Sequence, residues 1–237
     1  MPFSRACPTC LLALCVLAAG CEDRREKTIT IDEAVEALQI NAPEGSVTVE
    51  GSDEPGVLVQ VSLSGPGTKL RWELHDGQLD VWTRCRGAAP CESDYVVRVN
   101  ADAFVDVTTA SGEAQLSDLR GGAIVDTGSG DVVLSRVAGP VLVAETGSGS
   151  VEGTNLAVGI LSAETGSGAI RLGLDEPPEA LDADTGSGNA EIRVPAGTYE
   201  LRLRSRSGAV RTSGIDEGPG PLVEVSTGSG SVDVIGS

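Results

Sequence analysis

Aromatic residues are almost missing from this 237-residue chain, which has two each of Trp, Tyr and Phe, a single histidine (His75) and two lysines (Lys27 and Lys69). Each shortage closes off a class of function. A sugar-binding groove normally offers aromatic platforms, and few are on hand. A Ser-His-Asp triad would have to be built on His75, in the segment His75-Asp76-Gly77 that reads as a hairpin turn. A phosphate-cradling loop needs Gly-Lys-Ser/Thr, and neither lysine stands in such a setting. Bases are also few, 17 against 35 acids for a formal net charge of −18. That balance argues against a nucleic-acid partner, which needs a basic face, and against a polybasic patch for anionic membranes. No cofactor is expected.

Glycine, by contrast, is abundant, at 31 residues. It is placed with a period. A tetrapeptide recurs as Thr109-Ala110-Ser111-Gly112, Thr127-Gly128-Ser129-Gly130, Thr146-Gly147-Ser148-Gly149, Thr165-Gly166-Ser167-Gly168, Thr185-Gly186-Ser187-Gly188, Ser205-Arg206-Ser207-Gly208 and Thr227-Gly228-Ser229-Gly230, with starts 18, 19, 19, 20, 20 and 22 residues apart. Before each copy the chain alternates apolar and polar residues, as in Leu161, Ala163, Thr165, which is the signature of a half-buried strand. A second short strand and a second Gly- or Pro-bearing corner, such as Gly139-Pro140 or Pro177-Pro178, close each unit.

A unit of this length with two corners is one coil of a β-solenoid, because a single coil cannot bury its own inner face and must stack on its neighbours. Stacked in chain order, the coils give an inner column Ala123, Leu142, Leu161, Leu181, Leu201, Val223. The fourth turn position is Gly in all seven copies, which predicts φ > 0 there. The outward residues Asp126, Glu145, Glu164 and Asp184 fall at one position of four successive coils and form a candidate strip for cations or a basic partner, a solvated acidic edge being the plainer reading. Residues 35–104 predict wider, irregular coils, and residues 105–237 regular ones. The last coil ends almost at the C-terminus and leaves Val225, Val232 and Val234 with nothing to cover them. This predicts docking or self-association there by β-augmentation, or else a frayed end.

The N-terminus reads as an address. Residues 1–20 have Arg5, an apolar run Leu11–Ala19 too short to span a bilayer, and Ala18-Ala19-Gly20-Cys21, which resembles the lipobox of bacterial lipoprotein signals. Cys21 is then the lipidation site and residues 21–34 an anchor and short linker, placing the protein in the bacterial cell envelope, attached to a membrane by lipid. Cleavage also removes Cys7, Cys10 and Cys15. With Cys21 acylated, Cys85 and Cys91 remain as an expected disulfide in an oxidising compartment, and two cysteines lack the further ligands of a zinc site.

Asn41–Val49, Val96–Val107 and above all the Thr-Gly-Ser-Gly-x-Val units resemble the bacterial β-helix family known as "putative adhesin", a domain of unknown function carried behind lipoprotein or membrane anchors. The resemblance implies an all-β, single-stranded, right-handed parallel β-helix over nearly the whole mature chain, and no shared catalytic residues. A calcium β-roll would need Asp after most turns, where this chain has Glu113, Asp131, Ser150, Ala169, Asn189, Ala209 and Ser231. The sequence thus points to a non-catalytic adhesin-like, scaffolding or partner-binding lipoprotein. A carbohydrate-active β-helix enzyme, lyase or hydrolase, is the alternative.

Overall fold

The computed structural model describes residues 24–86 and 91–237, and these form nineteen strands and no helix. Residues 1–20, Cys21 and the four residues between Arg86 and Cys91 lie outside the described part.

The strands line up in two walls. In one wall the spatial order is β1 (Arg25–Ile31), β4 (Val57–Ser64), β7 (Glu92–Asn100), β3 (Val47–Ser52), β9 (Ala114–Leu119), the first halves of β11 (Val132–Thr146) and β12 (Val151–Thr165), β13 (Ile170–Leu174), β15 (Ala190–Val194), β19 (Val232–Gly236) and β17 (Val210–Ser213). In the other it is β5 (Lys69–His75), β6 (Gln78–Arg84), β2 (Ala37–Ala42), β8 (Phe104–Thr109), β10 (Ala123–Thr127), the second halves of β11 and β12, β14 (Ala180–Thr185), β18 (Asp216–Thr227) and β16 (Thr198–Ser205). The period-two alternation sends every second residue of both walls into one core of Val, Leu, Ile and Ala. Tyr95 and Tyr199 are its two fully buried aromatics.

Three ladders are antiparallel: β1 with β4, β4 with β7, and β5 with β6. They sit together at the N-terminal end. The other ladders are parallel. The segment expected to be linker is in large part β1, whose residues Arg25 to Ile31 pair with Leu63 to Val57.

The coils are not stacked in chain order. At one end β2 lies between β6 and β8, so the first coil of the sequence is the second in space. At the other, β18 lies between β14 and β16, and β19 between β15 and β17. The expected inner column therefore runs Leu181, Val223, Leu201. The expectation that Val225, Val232 and Val234 are left open fails, since each is 0 % exposed. The outermost coil is β16–β17 instead, and every residue of β17 is exposed. Inner-face composition gives the reason. The difference lies on the β17 side, where Thr212 stands opposite Val234 and tolerates water, while on the β16 side Leu201 and Leu203 match Val223 and Val225 and stay half-buried.

The repeated turn is a device for joining coils. Thr165 Oγ1 accepts from the Gly168 N–H at 3.0 Å within its own turn and donates to the Gly149 carbonyl of the preceding coil at 2.7 Å. Thr146 does the same with Gly149 and Gly130 at 3.1 and 2.8 Å. Thr185, Thr227 and Ser205 donate to Gly168, Gly188 and Gly230 in turn.

The fourth-position glycine is required for a reason other than the one expected. Among the seven copies φ lies in the positive region only at Gly112 (126°) and Gly230 (157°). What excludes a side chain is the coil below. A Cβ on Gly149 or Gly168 would stand 2.0 or 1.9 Å from the carbonyl oxygen of the matching glycine in the preceding coil, and one on Gly147 or Gly166 2.3 or 2.4 Å from its neighbour.

Candidate functional site

Parallel pairing in register brings the four predicted acids into one line. Asp126 stands opposite Glu145, Glu145 opposite Glu164, and Glu164 opposite Asp184. Alternation turns all four outward, and all are exposed. With Thr146, Thr165 and the second-position glycines Gly147, Gly166 and Gly186, they line a shallow groove of about 410 Å³. A second row runs beside the first. In it Ser162 is opposite Asp182 and Asp182 opposite Glu224.

Crowding shows in the protonation of this face. Burial pushes the Asp182 carboxyl above the usual carboxylate range, and the charges of Glu224, Asp184 and Glu164 push it the same way. Burial also raises Asp106, against a hydrogen bond from Gln39 that lowers it, with Asp126 adding to the rise. The line ends where the coils end. Ser226 donates to Asp184, and beyond it come Arg204, opposite Ser226, and Arg202, which pairs with Glu200 at 2.7 Å and Glu224 at 3.8 Å.

Strands about 4.8 Å apart set these carboxylates side by side without making them converge. A calcium ion needs several oxygens at about 2.3–2.6 Å from one point. No group of three or more His, Cys, Asp or Glu suited to a metal is found among the described residues. The face can repel anions and attract an extended positive surface. His75 lies far from it in chain position, at the end of β5 just before the Asp76-Gly77 turn, with its imidazole 89 % exposed and 3.0 Å from Asp76.

Cys85 and Cys91 are joined sulfur to sulfur with their Cα atoms 6.0 Å apart, inside the range of bridged pairs, and close the corner between β6 and β7. Cys21 falls outside the described residues. Two features escaped the sequence reading. Along one corner Asp118, Arg136 and Asn155 hold positive φ in three successive coils, at 59°, 54° and 54°. Arg136 grips Asp118 with two bonds of 2.6 and 2.7 Å and keeps its carboxyl below the usual range. The second is a cleft at the N-terminal end of the stack lined by Arg25, Lys27, Lys69 and Arg71. The scarcity of lysine was its only sequence signal.

The sequence profile of Toastrack DUF4097 matches residues 24–218. Among solved structures, a "putative adhesin" of Parabacteroides distasonis aligns with 90 % of this chain and 98 % of its own at 14 % identity and a TM-score of 0.52. A "putative adhesin" of Bacteroides fragilis aligns with 89 % of this chain and 96 % of its own at 13 % identity and a TM-score of 0.50. At these identities the likeness is one of fold. No curated protein matches significantly.

Proposed function

The chain belongs to the Toastrack DUF4097 family, and from that premise we propose that it is an exported, lipid-anchored β-solenoid that binds a partner without catalysis. In this reading Cys21 carries the lipid, residues 1–20 are removed, the solenoid is right-handed, and the acidic face of Asp126, Glu145, Glu164 and Asp184 receives a basic segment of another envelope protein. One observation carries it: in the regular coils the repeated Thr and Gly turn is consumed in joining coils, whereas the outward position beside it is an exposed line of carboxylates in four successive coils. The residues lining that groove include no Arg, Lys or His, so the carboxylates there lack the basic partner that a lyase would set against them, which favours binding over lyase chemistry.

The test is cross-linking in the intact envelope from a photoreactive residue at Ser162, beside the acidic row. A defined adduct that disappears when Glu145→Gln, Glu164→Gln and Asp184→Asn are combined supports the reading. An adduct pattern unchanged by the triple substitution overturns it.

A further inference from the structure

At the end of the stack nearest the N-terminus one cleft is lined by bases although the protein as a whole is strongly acidic, and the two strands that frame it carry four Lys and Arg against Glu26 and Glu73. Between the outermost strands of the two walls, β1 and β5, lies a cleft of about 420 Å³. Arg25, Lys27, Lys69 and Arg71 line it together with Ile29, Leu70 and Trp72, and no acid does. Both lysines of the chain are thus in this one place. Arg25 and Lys27 are on the inward side of β1, since their partners Leu63 and Val61 are buried. Leu70 and Trp72 are on the inward side of β5, opposite Thr83 and Val81, and Lys69 and Arg71 stand on its alternate face, opposite Arg84 and Trp82, so the bases flank the exposed Trp at the edge strand. Trp72 is nevertheless 48 % exposed, because among the described residues no further coil covers it. The Nε of Arg25 is buried with no hydrogen-bond partner.

We infer that this open end is a membrane-contact surface that rests on anionic phospholipid headgroups through Lys27, Lys69 and Arg71, with Trp72 at the interface. Cations beside an exposed Trp match the chemistry of a lipid interface, where an indole sits at headgroup depth and each base adds to attraction by anionic lipid. Position points the same way. Cys21 precedes Arg24 by three residues, a reach of at most about 11 Å. A lipid on Cys21 therefore holds this end, and not the far one, against the bilayer. The acidic row does not cancel the attraction. Asp126 is on β10, four strand spacings from β5 and so about 19 Å away, roughly two Debye lengths at 0.1 M salt. Net charge alone points away from such a contact; the inference rests on how that charge is distributed.

The inference uses Cys21 only for orientation, and its test does without the lipid. Residues 21–237 bearing Cys21→Ser retain every described residue and are mixed with vesicles of 30 % phosphatidylglycerol in phosphatidylcholine, or of phosphatidylcholine alone. Binding to the first and not the second is expected, weakening as salt rises. Combining Lys27→Glu, Lys69→Glu and Arg71→Glu should lower partitioning by roughly 100-fold or more, at about fivefold per base. Combining Arg202→Glu, Arg204→Glu and Arg206→Glu at the opposite end should leave it unchanged. In a Trp82→Phe background the remaining Trp72 emission should shift to the blue and be quenched by brominated lipid. No binding at low salt, equal loss with the distal set, or an unshifted Trp72 overturns the inference. Acyl labelling of Cys21 in cells decides the anchor separately, so the two can fail independently.

Discussion

The Thr165 hydroxyl donates to the Gly149 carbonyl across the gap between two coils, at 2.7 Å. This one bond, repeated along the stack, turns a tetrapeptide that looks like a flexible linker into the seam of the solenoid. Thr165 is 4 % exposed and its bond to the Gly149 carbonyl is buried, so neither of those two groups has water to fall back on. Thr165→Val keeps the shape and removes the bridge, leaving the Gly149 carbonyl and the Gly168 N–H without it. A loss of about 1–3 kcal/mol is expected by denaturant unfolding, and less for Thr165→Ser. Equal, negligible effects of both would show that the seam is packing alone.

The glycines beside that seam rank by distance. Gly149→Ala or Gly168→Ala forces a Cβ to within 2.0 or 1.9 Å of a backbone oxygen, and Gly147→Ala or Gly166→Ala to 2.3 or 2.4 Å. Backbone must move in each case, at about 1–3 kcal/mol or more, and the first pair should melt lower. The expected order matches the one that positive φ predicts, but the cause is the coil spacing. Combining Gly149→Ala with Gly168→Ala, which share a contact, should therefore be non-additive.

Acid should relieve the crowded face before it harms the fold. The Asp182 carboxyl is raised in the folded protein above its ordinary 3.8, so the folded state holds that proton more tightly than the unfolded chain. Stability from this group is then lowest above the raised value and recovers as pH falls through it toward 3.8. Asp182→Asn should raise the melting temperature at pH 7, with the gain shrinking as pH falls toward the ordinary 3.8. Asp118 has the opposite sign, because Arg136 lowers it, and its contribution is lost only below the ordinary carboxylate range. A gain for Asp182→Asn that stays constant with pH would contradict the assignment.

The inserted final strand makes a sharp distinction between two valines. Val232 is 0 % exposed between β15 and β17, whereas Val210 on β17 is 44 % exposed. Val232→Asp should unfold the C-terminal coils, seen as protease sensitivity and lost strand signal, because an unpaired charge in a dry core is not tolerated. Val210→Asp should be nearly neutral. Comparable behaviour of the two would mean that the coils stack in chain order after all.

Cys85 and Cys91 in exported protein should resist alkylation until reduced, read by intact mass. Replacing both with Ser should cost about 2 kcal/mol, since the closed loop is short. Thiols that alkylate freely without reductant would show the pair to be open.

Periodicity alone determined much of this protein. The all-β class, the two-cornered coil, the inward Leu-Ala-Thr pattern and the acidic row of Asp126, Glu145, Glu164 and Asp184 all follow from a repeat that puts like residues at like positions. Parallel stacking then excludes every odd slip, which would turn the apolar side outward, and aligning the Thr-Gly turns fixes the register. What periodicity cannot express is which coil lies next to which, because every coil carries nearly the same pattern and each could pair with any other. That choice fell to packing at the two ends: the all-valine inner face of β18–β19 was drawn inside β16–β17, β2–β3 slid between β6–β7 and β8–β9, and three antiparallel ladders closed the N-terminal side. The turn glycine shows the same division. Its invariance was legible in seven copies, but its cause is a carbonyl about twenty residues away in the chain, which only the stacked structure brings to within 2 Å of the missing Cβ. The basic cleft was hidden for a related reason. Arg25 and Lys27 are separated from Lys69 and Arg71 by some forty residues of sequence, and only the capping of both walls at one end sets them around a single cleft.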